Sequence, residues 1–227
     1  MKDWYDKIAW LYDFFTAWFY RKMRRELIEN LHIQTGNHIL IIACGTGQSF
    51  ELIVNKTGSK GKIIAIDNSS EMLKQARKKI RKNHWNNIRL VQMDVRELNP
   101  DLLKEWEIEK GFNCVIGELA FSVIPEWKKV MQTSVNMLEK NGKLGLLDWY
   151  RPQNDWLTKI VNFLAKSDIN RNTPEYARQL TQNFRIIKKY FFKSVYIAVG
   201  NKKQNSARFS LVEVIIKINR QSEIVSR

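Results

Sequence analysis

Ile39-Leu40-Ile41-Ile42-Ala43-Cys44-Gly45-Thr46-Gly47-Gln48-Ser49 is the stretch that decides the fold. A continuous apolar run such as Ile39 to Ala43 suits a strand buried on both faces, where alternate side chains each meet an apolar layer. Gly45 and Gly47 then make a turn, and a helix follows to Asn55. Glycine there lets a ligand approach the backbone closely. The helix start offers unpaired N–H groups and the positive end of the helix dipole. A Gly-x-Gly pair also occurs in turns of purely structural purpose, so its surroundings must carry the argument.

Outward from that stretch, apolar runs alternate with amphipathic helical patterns. Lys62 to Ile66, Ile88 to Met93, Phe112 to Gly117 and Leu144 to Trp149 read as further strands. Ser69 to Lys82 reads as a helix with Ser69 as its cap and Met72, Leu73, Ala76 and Ile80 on one face. Glu126 to Glu139 reads as another, ended by Asn141-Gly142. Asp155 to Ala165 and Pro174 to Gln182 are predicted helices. Arg185 to Phe192 and Val195 to Val199 are predicted strands joined by a tight turn near Lys193. The pattern predicts an α/β fold: a doubly wound, mostly parallel seven-stranded sheet with an antiparallel C-terminal hairpin. Residues 1–35 are expected to be an N-terminal helical lid, 36–200 the core and 201–227 a C-terminal extension with a strand-like stretch from Phe209 to Ile218.

Composition narrows the class. The 227 residues suffice for one sizeable core, and 44% hydrophobic with 27% charged residues argues against disorder. Two cysteines, Cys44 and Cys114, exclude a disulfide framework and read as buried thiols in a reducing compartment. With no apolar run long enough to span a bilayer and no secretion-signal pattern, a soluble cytoplasmic protein is expected. The net charge of +15 would attract polyanions or reflect a Lys- and Asn-rich composition. There is no zinc-ligand spacing, no Ser-His-Asp signature and no phosphate loop, so no metal is expected.

Two acidic residues stand at the next strand ends. Asp67 follows the glycines by roughly twenty residues, where a carboxylate can accept both hydroxyls of a ribose. Asp94 closes the third strand, where it can accept from an adenine amine. Taken alone, each would be a helix cap or turn residue.

With these residues in place, the chain resembles the class I S-adenosylmethionine-dependent methyltransferases, nearest the branches that methylate quinones, phospholipids and diacylglyceryl-homoserine. The resemblance lies in Ala43-Cys44-Gly45-Thr46-Gly47, Ile66-Asp67-Asn68-Ser69-Ser70-Glu71-Met72-Leu73, Met93-Asp94-Val95 and Leu138-Glu139-Lys140-Asn141-Gly142-Lys143-Leu144. It covers residues 36–150 closely. It implies S-adenosylmethionine as cofactor and S-adenosylhomocysteine as product. Ala43, Gly45, Thr46 and Gly47 would surround the methionine end, and Asp67 with Asn68 the ribose. Met72, Asp94 and Val95 would border the adenine, with Glu118 and Leu119 beside the sulfonium. Ile41 stands where the family often has an acid, and Ala43 where it usually has glycine.

Tyr12-Asp13, and less well Tyr5-Asp6, match a Tyr-Asp pair that similar enzymes carry on a helix covering the cofactor. Tyr12 thereby joins the cofactor-binding set, and Tyr12 and Glu118 are the candidates for orienting the acceptor. The segment from Leu119 to Trp127 resembles that of diacylglyceryl-homoserine N-methyltransferases. It lacks the Asn/Asp-Pro-Pro-aromatic motif of many nucleobase and amide methylases. Phe121, Trp149, Tyr150, Trp156, Phe163 and Tyr176 would line an apolar acceptor site, although some would serve the core.

These features favour in-line methyl transfer to a small-molecule or lipid-like acceptor, driven mainly by positioning. A nucleic-acid methyltransferase and a non-catalytic cofactor-binding scaffold are the alternatives. The aromatic N-terminal segment followed by Arg21 to Arg25 suits peripheral membrane contact, and the exposed Phe209–Ile218 stretch suits a homodimer.

Overall fold

The structure is a computed structural model and describes residues 19–153, 155–165, 167–191 and 193–204. Residues 19–31 form helix α1. Then come β1 (His38–Ile42), α2 (Phe50–Thr57), β2 (Lys62–Asp67), α3 (Ser70–Lys82) and β3 (Ile88–Gln92). The middle holds α4 (Leu102–Glu105), β4 (Phe112–Glu118), α5 (Trp127–Asn136) and β5 (Leu138–Trp149). The described chain continues through α6 (Trp156–Ala165), α7 (Thr173–Leu180), β6 (Thr181–Tyr190) and β7 (Val195–Lys202).

The described strands form one seven-stranded sheet in the order β3-β2-β1-β4-β5-β7-β6. The first five are parallel, and β7 runs antiparallel to both β5 and β6. Strand pleating explains the two apolar layers. Leu40, Ile42, Ile64 and Ile66 face one side, in one buried cluster with Val130 and Met131 of α5. Ile39, Ile41, Ile63 and Ala65 face the other, under α1 and α2. In α1, Tyr20, Met23, Leu27, Ile28 and Leu31 recur at three- and four-residue spacing and are buried. Gly145 permits the close approach of α1 to β5, since a Cβ there would lie 2.9 Å from Leu31. The sheet order reverses between β1 and β4. In open α/β sheets the ligand crevice forms at such a reversal, beyond the carboxyl ends of the strands.

One expectation is corrected. The helix expected over Glu126 to Glu139 stops at Asn136, because Leu138 already pairs with Phe112. Asn141-Gly142 therefore lies inside β5, where the register slips between the Phe112 and Cys114 pairs. The expected antiparallel hairpin is present, with β7 beside β5 and β6 at the edge. Tyr5-Asp6, Tyr12-Asp13 and Phe209–Ile218 lie outside the described residues.

Candidate active site

A cavity of about 370 Å³ opens at the reversal point. That falls within the usual range of small-molecule sites, roughly 300–1,000 Å³. Its walls come from four strand ends: Ala43 and Gly45 after β1; Asp67, Asn68, Ser69 and Met72 at and after β2; Asp94, Val95 and Arg96 after β3; Glu118 and Leu119 from β4, followed by Val123, Ile124 and Pro125.

The glycine turn and Asp67 form one unit. The Gly45 N–H donates to Asp67 Oδ2 at 2.7 Å, and the Ser69 N–H donates to Oδ1 at 2.9 Å. The carboxylate thus braces the β1 turn against the start of α3. Asp67 is not the helix cap: Ser69 is, accepting from the Met72 N–H. Gly45 has a φ of 55°, and a Cβ there would meet nothing within 4 Å, so open space lies before its backbone. Ala43 (φ 51°) and Leu119 (φ 54°) hold the left-handed conformation without being glycine, on adjacent strand ends of the same cavity. Strain of this kind tends to gather at functional sites.

Thr46 and Gly47 are not among the cavity's walls. The buried Thr46 hydroxyl turns away to accept from Gln48 and from Lys79 of α3. Gly47 makes room for the Phe50 ring, 2.5 Å from where its Cβ would stand. The second glycine is therefore needed for packing. Cys44 is partly buried rather than fully so, and burial followed by the Asp67 charge pushes its thiol well above the usual range. It remains a thiol at neutral pH, and Cys114 is buried as expected.

At the far end, Asp94 is clasped by Arg96, whose Nη2 lies 2.6 Å from Oδ2. Hydrogen bonds from that side chain hold the Asp94 carboxyl below its ordinary range. Arg96 also reaches Glu126 at 3.8 Å, so one guanidinium spans this end of the rim. The sequence signal for Arg96 was only its place two residues after Asp94.

Glu118 sits where three elements meet. Arg24 Nε from α1 donates to it at 3.1 Å, and the Ser49 hydroxyl donates at 2.6 Å. Arg24 and Glu118 are largely buried, at 5% and 11% side-chain exposure. Ser49 precedes α2 but does not cap it; its hydroxyl serves Glu118 instead. The sequence marked Arg24 only as part of the basic run Arg21 to Arg25, and Ser49 not as a partner of Glu118, because their partners lie 94 and 69 residues away.

The loop after β4 is held from behind. Asp148, wholly buried in β5, accepts from the Ser122 N–H at 3.0 Å and the Ser122 hydroxyl at 2.6 Å. Desolvation pushes its pKa up to about 6 despite these bonds. Arg171 donates to the carbonyls of Phe121 and Ile124, and the Asp168 N–H to that of Ser122. Val123, Ile124 and Pro125 thus present a fixed apolar wall. Of the aromatic rim expected above, Phe121 is fully buried and belongs to the core. Trp149 is partly buried and donates to the Tyr20 hydroxyl. Tyr176 packs edge-on against Trp127. Trp156 and Phe163 are exposed.

A family profile described as a methyltransferase domain matches residues 33–184. A demethylmenaquinone methyltransferase of Listeria welshimeri is 24% identical over 62% of this chain and 57% of its own length. The ubiquinone/menaquinone biosynthesis C-methyltransferase UbiE of Pasteurella multocida is 26% identical over 74% of this chain and 62% of its own. The chain thus spans somewhat over half the length of the curated relatives it matches. Among solved structures, a SAM-dependent methyltransferase from Aquifex aeolicus shares the fold with a TM-score of 0.54. It is 15% identical, and the match covers 79% of this chain and 89% of that one. Taken with the strand order and the crevice position, the family profile shows that the chain belongs to the methyltransferase-domain family.

Proposed function

We propose that the protein transfers a methyl group from S-adenosylmethionine to a small, apolar acceptor of quinone or lipid type. The observation that carries this reading is the juxtaposition of Gly45, Asp67 and Asp94 with the apolar wall Val123–Pro125 in one cavity. The names of the quinone-methylating relatives support the acceptor class.

The cavity's residues suit the cofactor. Open space before Gly45 leaves room for a ligand against the backbone, which a side chain would take up. Each Asp67 carboxylate oxygen accepts a backbone N–H that braces the turn. Asp67 also lines the cavity at the end of β2, where a carboxylate can meet the hydroxyls of a ribose. In this reading Met72 and Val95 pack on the adenine, Asp94 accepts from its amine beside Arg96, and Ala43 borders the methionine end. When bound, the cofactor supplies a methyl group already activated on a sulfonium. Glu118, fixed by Arg24 and Ser49, orients polar groups near Leu119; its ties make it a positioning acceptor rather than a mobile base. The acceptor's nucleophilic atom is aligned by the rigid 119–125 loop, and any proton it releases passes to water. Alignment of this sort can supply much of the acceleration. Residues 36–200 form the transferase core in this reading, residues 1–35 with Tyr12 cover the cavity, and 201–227 form an extension.

Calorimetry tests the proposal. Asp67→Ala should weaken S-adenosylmethionine binding by about a hundredfold, through loss of charge-assisted hydrogen bonds and of the turn's brace. A demethylated quinone should then be methylated by the wild type. Unchanged affinity in a folded Asp67→Ala protein would sink the site assignment.

A further inference from the structure

Four large hydrophobic side chains stand exposed among the described residues. Phe19 (41% exposed) lies on α1, Phe191 (37%) sits in the β6–β7 turn, and Trp156 (72%) and Phe163 (81%) project from α6. Phe19 and Phe191 stack with centroids 4.4 Å apart, and Phe191 stacks in turn on Trp149 at the end of β5. The loop into α6 is bound to the same turn. The Tyr150 N–H donates to the Ser194 carbonyl, Arg151 donates to the Ser194 hydroxyl, and Arg151 pairs with Asp155 at the α6 N-terminus. This edge lies beyond the carboxyl ends of the parallel strands, as the cavity does.

On α6, Trp156, Lys159 and Phe163 follow at spacings of three and four and are exposed, so they share one outward face. Buried Thr158 and Asn162, which holds the Ile169 N–H, anchor the helix on its other side. Cations surround the apolar points. Arg21, Lys22 and Arg25 follow Phe19 on α1, and Lys188, Lys189 and Lys193 flank Phe191; all six are exposed. Glu26 accepts from the Tyr190 hydroxyl and Asp155 pairs with Arg151, while Glu29 is exposed on α1. Aromatic tips interleaved with exposed cations in excess over acids match the chemistry of an anionic bilayer surface, where aromatics enter the interface and cations meet the headgroups. A groove for a protein partner would not require such a charge excess.

We propose that α6 and the Phe19–Phe191 pair seat the protein on an anionic lipid surface, with the cavity's edge of the sheet turned toward the bilayer. No helix among the described residues is long and apolar enough to cross a membrane, and the proposed contact is with the bilayer surface. An acceptor dissolved in the bilayer would then lie on the same side as the site.

Co-sedimentation with vesicles tests this. The protein should bind equimolar phosphatidylcholine–phosphatidylglycerol vesicles at low ionic strength and bind pure phosphatidylcholine far less. Trp156→Ser/Phe163→Ser should lower the affinity about tenfold or more. Lys188→Glu/Lys189→Glu should lower it comparably and flatten its salt dependence. Both variants should keep wild-type affinity for S-adenosylmethionine. No wild-type binding to the mixed vesicles, or unchanged binding by both variants, overturns the proposal. So does misfolding or a lowered melting temperature of the aromatic variant, which would mean that another part of this chain covers the face. Loss of a wild-type dimer in light scattering would assign the face to a second copy instead. Vesicle binding requires neither cofactor nor acceptor, so its failure leaves the methyl-transfer reading intact.

Discussion

The two sides of the crevice handle their carboxylates in opposite ways. On the β1–β3 side, Asp67 and Asp94 stand on the cavity wall, held by neighbours close in sequence or by a backbone turn. On the β4–β5 side, Asp148 is sealed under the loop, bonded to Ser122 and remote from solvent. Glu118 lies at the seam, facing the cavity but tied to α1 and to the start of α2. One side presents charge to a ligand. The other uses charge to hold an apolar wall in place.

The seam offers the sharpest way to break that comparison. Arg24→Ala leaves the Glu118 charge buried without its cation and should cost about 3–5 kcal/mol of stability, read by chemical denaturation. Arg24→Ala/Glu118→Gln should recover much of that loss. Failure of the second change to help would mean that Arg24 acts by packing alone. The next largest effect separates Asp148 from Asp67. Its folded pKa of about 6 lies above its ordinary value, so its stabilising share is complete below about pH 4 and is lost as pH rises through about 6. The stability of Asp148→Asn relative to wild type should therefore rise between those limits by about 3 kcal/mol. A flat difference across that window would place Asp148 among exposed carboxylates. The smallest effect checks that charges away from the crevice are inert. Lys74→Ala removes an exposed pair with Glu71 on α3. It should change stability by no more than about 0.5 kcal/mol and leave cofactor affinity unchanged.

The same contrast explains what could be read from the sequence. Strands β1, β2 and β4 are apolar runs because both faces are covered, and Gly45, Asp67 and Asp94 follow strand ends directly. Local pattern was enough for them. Thr46 and Gly47 carried the same motif signal but turn to packing, which depends on where Phe50 and Lys79 come to lie. Ser49 and Asp148 acquire their roles from partners distant in the chain, so neither spacing nor composition marked them, and Arg24, read as one of a basic surface run, is buried against Glu118. Asn141-Gly142 was a reasonable helix stop by residue type. The apolar demand of Leu138 in the sheet ended α5 sooner. Phe121, Trp156 and Phe163 looked alike as aromatics, yet the first fills the space beside Gly117 and the others face outward.

The order β5-β7-β6 has a consequence for how the chain is made. β6 is synthesised before β7 but has no place in the sheet until β7 lies against β5. A ribosome that has released β6 but not β7 therefore holds a chain whose β5 edge, including the buried Leu144, Leu146 and Leu147, is open to another strand. Exposed apolar edges of this kind invite misassociation. The vulnerable interval in biosynthesis closes only when Val195–Lys202 emerges, pairs with β5 and so gives β6 its edge.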